Sequence, residues 1–291
     1  MKRLLIDTCG KGFLAVEVLG NDPTNVLIFG PEIPFSWAGA EVKGRVSKRG
    51  PDGKSFFVTS DCLSKDTLIQ SADSKITEGQ EVWICITHDQ SLFEHHKGYK
   101  GKFVHGNSAP ESPLNWLSAV SKMGQRADEV KVNDPGLAVK LQDLGLQNIR
   151  YTLDESVLDA EGFGDLFDSL RQTEWVLKES KGSVSLDRSR IAWCFDVNIS
   201  SGDTASRSSI KKVNHEAWLF IRQHIQLLNL SGLILIDFVE MNRMETSHLL
   251  NKIQRDQGMK DIHVLGMSRA GLVELTRSRT GYPLWDLLEL C

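Results

Sequence analysis

The sequence predicts an α/β protein with a small β-barrel set into it. Two observations carry that prediction. In the C-terminal part, nearly all-apolar runs alternate with helical patterns: RIAWCFDVN (190–198), GLILIDF (232–238) and IHVLGM (262–267). Strand–helix–strand alternation of this kind builds a sheet that is at least partly parallel. Between 38 and 105, β-rich runs recur about every ten residues and are separated by Gly and Pro turns, which suits a compact barrel or sandwich. A chain of 291 residues has room for two or three domains at about 100–200 residues each. Its 41% apolar and 25% charged content is ordinary for a globular protein and excludes a disordered or collagen-like chain.

The elements follow in order. Segment 1–37 holds two strands, MKRLLID and FLAVEVL (13–19), then a turn NDPTN and the run VLIFG (26–30). Segment 38–105 holds EVKGRVSKRG, KSFFVTS, EVWICITHD with Val82, Ile84 and Ile86, and KGYKGKFVHG. Five short strands over that length suit an oligonucleotide-binding barrel. GNSAPESP (106–113) reads as a linker. In 106–175 a helix is expected from Leu114 to Gln125, a strand at EVKVND (129–134), and a helix at PGLAVKLQDLG. That helix has Pro in its first turn and Gly past its end, as helices prefer. FGDLFDSLRQTEWVLK reads as a further helix, with Phe163, Leu166, Phe167, Leu170 and Val176 as its apolar residues. Segment 176–291 is the last division. There, SVSLD turns into RIAWCFDVN, and a Ser-rich loop leads to a helix over Ile210–Asn229. Ile210, Val213, Ala217, Phe220, Ile221 and Ile225 share one face of it. A second helix, about 244–257, ends at Gly258.

Net charge is −4 and the sequence pI is about 6.1, which argues against a protein that coats nucleic acid by bulk positive charge. The charge is uneven, however. From 197 to 280, Lys and Arg number 11 against 8 Asp and Glu. Lys211, Lys212, Arg269, Arg277 and Arg279 are therefore candidates for phosphate contact, and each of them other than Arg269 reads equally as a solvated or ion-paired residue. The cysteines at 9, 62, 85, 194 and 291 form no CxxC, so they read as reduced thiols. Three apolar residues after Met1, Lys2 and Arg3 are too few for a signal peptide. No run approaches the ~18 apolar residues of a membrane span. The expectation is a soluble, cytoplasmic protein with no membrane partner.

Two strands end on carboxylates, Asp196 and Asp237. A right-handed crossover would set them side by side at the carboxyl edge of a parallel sheet, where open α/β sheets bind ligands. Adjacent carboxylates repel unless they share a proton or a cation. A hard cation such as Mg²⁺ accepts such oxygens and retains waters. Asn198, two residues beyond Asp196, points to the same side. Strand-end acids also cap helices, and spacing alone leaves both readings open.

The words DVN (196–198), NHEA (214–217), SGLILIDFVEM (231–241) and SRAGLVELTRSR (268–279) resemble the catalytic domain of the ribonuclease E/G endoribonucleases. MKRLLID resembles that family's first strand. GAEVKGRVSKRG with SFFV, EGQEVWICI and GYKG resembles its inserted barrel, and VNDPGLAVKL the second piece of its RNase-H-like subdomain. The order is collinear over nearly the whole chain. The resemblance implies RNase-H-like and DNase-I-like α/β subdomains with an inserted OB-fold barrel. It implies a Mg²⁺-dependent endoribonuclease acting on single-stranded RNA and leaving 5′-phosphate and 3′-hydroxyl ends. Asp196 and Asp237 match the metal-binding acids, and Asn198 the catalytic asparagine. Phe57 matches an RNA-stacking aromatic and Lys100 a backbone-contacting lysine, while the second aromatic falls near Thr67. Phe57 reads equally as barrel core, and Phe56 is the core candidate if Phe57 faces out. Arg269, within SRAG, ranks first among the phosphate contacts, and Lys212 is retained with it. His88, His95, His96 and His105 match no zinc spacing and read as a solvated loop beside an RNA surface.

Two family features are missing. Only residues 106–128 stand where a 5′-monophosphate sensor is expected, and its arginine falls near Asp261. No CPxCxG follows the catalytic segment, so no zinc-linked dimer is expected. The rival reading is a non-catalytic RNA-binding protein of the same fold. A weaker third is a phosphodiesterase for other nucleic acid.

Overall fold

A computed structural model describes residues 1–34, 36–71, 75–88, 98–104, 116–200, 206–256, 261–279, 281–288 and 290. The chain forms two compact units, Met1–Gly164 with Arg279–Cys291, and Asp165–Ser278.

The first unit opens with an antiparallel meander of β1 (Lys2–Cys9), β2 (Gly12–Leu19) and β3 (Asp22–Phe29). The third strand starts inside the segment expected to be a turn. Pro23 is accommodated because β3 is an edge strand, where a missing N–H costs no ladder bond. The chain next builds a closed barrel from β4 (Glu41–Arg49), β5 (Ser55–Thr59), β6 (Thr67–Gln70), β7 (Glu81–His88) and β8 (Tyr99–Phe103), ordered β4-β5-β6-β8-β7. Its interior holds Val42, Val46, Phe56, Val58, Ile69, Ile84, Ile86 and Tyr99. Gly44 is required where β4 crosses its neighbours, since a Cβ there would lie 2.5 Å from Val58 Cγ1 and 2.8 Å from Thr59 O.

After the barrel come α1 (Trp116–Gly124), β9 (Glu129–Val132), α2 (Pro135–Asp143), β10 (Ile149–Tyr151) and the single turn α3 (Val157–Ala160). The strands β9 and β10 extend the first sheet in parallel beside β1, giving β10-β9-β1-β2-β3. Helices α1 and α2 supply Val120, Leu137 and Leu141 to its core, with Leu4, Ile6 and Phe29 from the sheet. Asp134 caps α2 by accepting the Leu137 N–H at 2.6 Å. Asp7, buried in β1, accepts bonds from the Ser156 hydroxyl (2.7 Å) and the N–H groups of Val157 (2.5 Å) and Leu158 (3.0 Å). It thereby ties the first strand to α3. Cys9 is disulfide-bonded, whereas Cys62, Cys85 and Cys194 are free. This corrects the reading of every thiol as reduced. The linker 106–113 lies outside the described residues. At the chain's end, α7 (Leu284–Leu288) packs on β3.

The second unit contains α4 (Leu166–Arg171), β11 (Glu174–Val176), β12 (Ser183–Arg188), β13 (Ala192–Asn198), α5 (Arg207–Leu227), β14 (Gly232–Asp237), α6 (Arg243–Gln254), β15 (Ile262–Met267) and β16 (Val273–Arg277). The helix expected over 163–178 is split into α4 and β11. Trp175 decides this: its ring is buried against Phe220 and His224 of α5, 5.4 and 4.9 Å between centroids, and its indole donates to Ser169 O. The sheet order is β11-β12-β13-β14-β16-β15. Within this sheet, among the described residues, only β13 and β14 pair in parallel, joined by α5, while β16 inserts antiparallel between β14 and β15. The SRAG word makes this possible, for Gly271 takes φ +91° in the turn that folds β16 back on β15. Among the described residues, no helix is long and apolar enough to cross a membrane.

Candidate metal centre and nucleic-acid interface

From Phe195 onward the strand β13 alternates. Phe195 and Val197 are buried, while Asp196 and Asn198 are exposed on the other face. In β14, Ile234 and Ile236 are buried and Asp237 is exposed. The register sets Asp196 directly opposite Asp237, and adjacent strands lie about 4.8 Å apart. The Asn198 amide donates to Asp196 Oδ2 at 2.7 Å. The crossover expected from the sequence therefore places all three side chains together at the carboxyl edge of the parallel pair. The neighbouring strand approaches closely: a Cβ on Gly182 would lie 2.6 Å from the Asn198 carbonyl oxygen.

Two exposed carboxylates and an amide form a hard-oxygen donor set open to water. Such a set fits Mg²⁺, which retains several waters beside one or two carboxylates. Among the described residues, no group of three or more His, Cys, Asp or Glu comes together as a metal cluster.

On the barrel, Phe56 and Val58 point inward and Phe57 outward. The register runs Lys48–Phe57 across β4/β5, Phe57–Leu68 across β5/β6, Leu68–Lys100 across β6/β8, and Lys100–His88 across β8/β7. Phe57 and Lys100 therefore share one outer stripe, with Leu68 between them. Leu68 and Lys48 escaped the sequence reading. Thr67, where a second aromatic was sought, is fully buried, so the outward position belongs to Leu68. His88 is a half-buried strand residue rather than part of a loop. Burial, then Lys100 and Arg279, push its pKa down. His95, His96 and His105 lie outside the described residues.

Residues 127–280, more than half of the chain, match the ribonuclease E/G family. The chain belongs to the ribonuclease E/G family. Among curated relatives, a ribonuclease E/G-like protein of Pyropia yezoensis is 28% identical over 146 residues, covering 48% of this chain and 28% of that protein. One from Porphyra purpurea is 33% identical over 99 residues, covering 32% and 19%. Ribonuclease G of Escherichia coli K12 is 32% identical over 127 residues, covering 40% and 26%. In each case the match spans less than a third of the relative's length.

The ribonuclease E/G words now have physical roles. In NHEA, the buried Asn214 bonds the backbone of Val239. Glu216 accepts the N–H groups of Glu179 (2.8 Å) and Ser180 (2.7 Å). Burial raises the pKa of Glu216, but these bonds outweigh it and the carboxyl sits below its usual range. Arg269 is exposed in the β15–β16 turn. Because Val273 pairs with Ile236, that turn lies at the end of the sheet that carries Asp237. Arg277 is not available to a phosphate. Its guanidinium bonds Asp261 (2.5 Å), Asn229 Oδ1 and Leu230 O, so Asp261 is the partner of a structural ion pair. Lys211 pairs with Glu245 at 3.0 Å. Lys212 is exposed on α5 and lowers the pKa of Glu216. Residues 201–205 of the Ser-rich loop lie outside the described residues, and Ser206 caps α5. A separate cleft of about 390 Å³ lies within the first unit, against Lys11, Phe13, Trp116 and Lys140.

Proposed function

We propose that this chain is a divalent-metal-dependent endoribonuclease that cleaves single-stranded RNA to 5′-phosphate and 3′-hydroxyl ends. The observation that supports it most is the register pairing of Asp196 with Asp237 in a member of the ribonuclease E/G family, whose curated relatives are named as ribonucleases. In this reading Asp196 and Asp237 hold Mg²⁺. When bound, the ion supplies Lewis-acid polarisation of a phosphodiester. Asn198 fixes the orientation of Asp196 and offers its remaining amide hydrogen to a phosphate. Phe57 stacks a base, which is tolerant of sequence. Lys100, Arg269 and Lys212 contact the RNA backbone. In the same reading, segments 1–37 and 106–175 make up an RNase-H-like subdomain, 38–105 an OB-fold barrel, and 176–291 a DNase-I-like catalytic subdomain. In this reading the enzyme works in the cytoplasm.

The test is an unstructured, AU-rich, end-labelled RNA incubated with the protein in Mg²⁺ and in EDTA. Cleavage is expected in Mg²⁺ alone, with products that ligate through a 5′-phosphate. Asp196→Asn and Asp237→Asn should each slow it by about 10²-fold or more, the scale of removing one electrostatic stabiliser. Binding without cleavage would replace this reading with the non-catalytic one.

A further inference from the structure

The two acids of the candidate centre are held in different ways. Asp196 is fixed through its side chain, by the Asn198 amide at 2.7 Å. The Asp237 side chain takes no hydrogen bond or ion pair among the described residues, so its position depends on its backbone. The strand β14 ends at Asp237, and the sheet ladder no longer fixes the chain beyond it. Phe238 enters the core, 7% exposed. Val239 is gripped at both its polar groups by one side chain, Asn214 of α5. The Asn214 Nδ2 donates to Val239 O at 2.8 Å, and its Oδ1 accepts the Val239 N–H at 3.0 Å. Asn214 is 1% exposed, so removing it leaves two buried backbone groups without partners, and such groups are almost always paired in native proteins. The segment would move to satisfy them, and Asp237 stands two residues away.

We infer that Asn214 is the positioning residue of Asp237, acting through the Val239 backbone to keep that carboxylate opposite Asp196. This rests on the reading of the two acids as a metal site. The amide suits the task better than a carboxylate or a hydroxyl. It presents one donor and one acceptor in a plane, matching the N–H and C=O of an extended residue. Neutrality matters too, since a buried charge there would itself be costly.

The test is Mn²⁺ titration of the protein without RNA, followed by electron paramagnetic resonance, beside the Mg²⁺ dependence of cleavage. Asn214→Ala should weaken Mn²⁺ binding by about tenfold or more, as loss of a group supporting a metal ligand does. The Mg²⁺ midpoint of cleavage should rise by a similar factor, while the rate at saturating metal recovers to within a few-fold. Asn214→Gln keeps a neutral donor and acceptor at a displaced position and should show a smaller loss; it also serves if the alanine variant does not fold. Ile225→Val, buried on the same helix, controls for a general loss of stability and should bind Mn²⁺ as the wild type does. Wild-type Mn²⁺ affinity in the folded Asn214 variants, with binding lost in Asp237→Asn, would overturn the positioning role alone. Equal Mn²⁺ binding by the wild type and Asp237→Asn would instead overturn the metal site and this inference with it.

Discussion

Thr67 marks the boundary between the two faces of the barrel. Its hydroxyl is buried with no partner among the described residues, while the next residue, Leu68, stands outside between Phe57 and Lys100. Thr67→Val removes an unsatisfied polar atom at constant shape. It should raise stability by about 1 kcal/mol, read as a higher urea midpoint at unchanged slope. Phe57 is the converse case, an aromatic outside the core. Phe57→Ala should leave the fold intact and weaken binding of an unstructured RNA by about 1–3 kcal/mol, measured by fluorescence anisotropy at fixed salt. An unchanged affinity would remove Phe57 from the interface. Much at this scale was legible in the sequence. An acid ending an apolar run must sit at a strand end, and alternation puts Asp196 and Asn198 on one face. Leu68 was not legible, because a one-residue change of register exchanges the faces of a strand. Asn214 and Arg277 were visible only as letters in family words, since their partners lie 25 and 16 residues away.

The helix α5 braces the second unit. Of the six residues read from spacing as its apolar stripe, Val213, Ala217, Ile221 and Ile225 are buried, and Ile210 and Phe220 are half-buried. His224 joins them, stacked on Phe220 with ring centroids 3.8 Å apart. Burial depresses its pKa from 6.5 to about 4, against a smaller opposing effect of its bond to Phe220 O. The unfolded chain therefore takes up a proton between those values and the folded chain does not. Stability from this group is complete above pH 6.5 and is lost as pH falls towards 4, by about 3 kcal/mol at 1.4 kcal/mol per unit. His224→Phe should flatten that part of the profile of urea stability against pH, and a slope identical to the wild type would contradict the burial argument. The strands β6, β10, β11 and β16, which escaped prediction, are short, with three to five residues each. Such segments lack a periodic signature of their own and are strands because a neighbour pairs with them. The expected helix over 163–178 failed for the same reason, with TEWV drawn into the edge of the sheet by β12.

Across the whole molecule, the overall charge of −4 conceals a division of labour. Residues 197–280, which include Asp237, carry 11 Lys and Arg against 8 Asp and Glu. Part of that excess is already engaged, since Arg222 pairs with Asp256 at 3.0 Å and Arg277 with Asp261 at 2.5 Å. Arg269 takes no ion pair among the described residues. The barrel, the first sheet and the parallel pair of β13 and β14 follow the collinear family words, so the coarse plan was readable from one end of the chain to the other. The insertion of β16 beside β14 was not, because strand order is a tertiary property. The central claim is that Asp196 and Asp237 act as one centre. Single-turnover cleavage of an end-labelled RNA in saturating Mg²⁺ tests it, comparing the wild type, Asp196→Asn, Asp237→Asn and the double variant. The expected result is that either single substitution costs nearly as much as both together, as for residues that act as a unit. Losses that multiply in the double variant, or a single variant that cuts like the wild type, would contradict it.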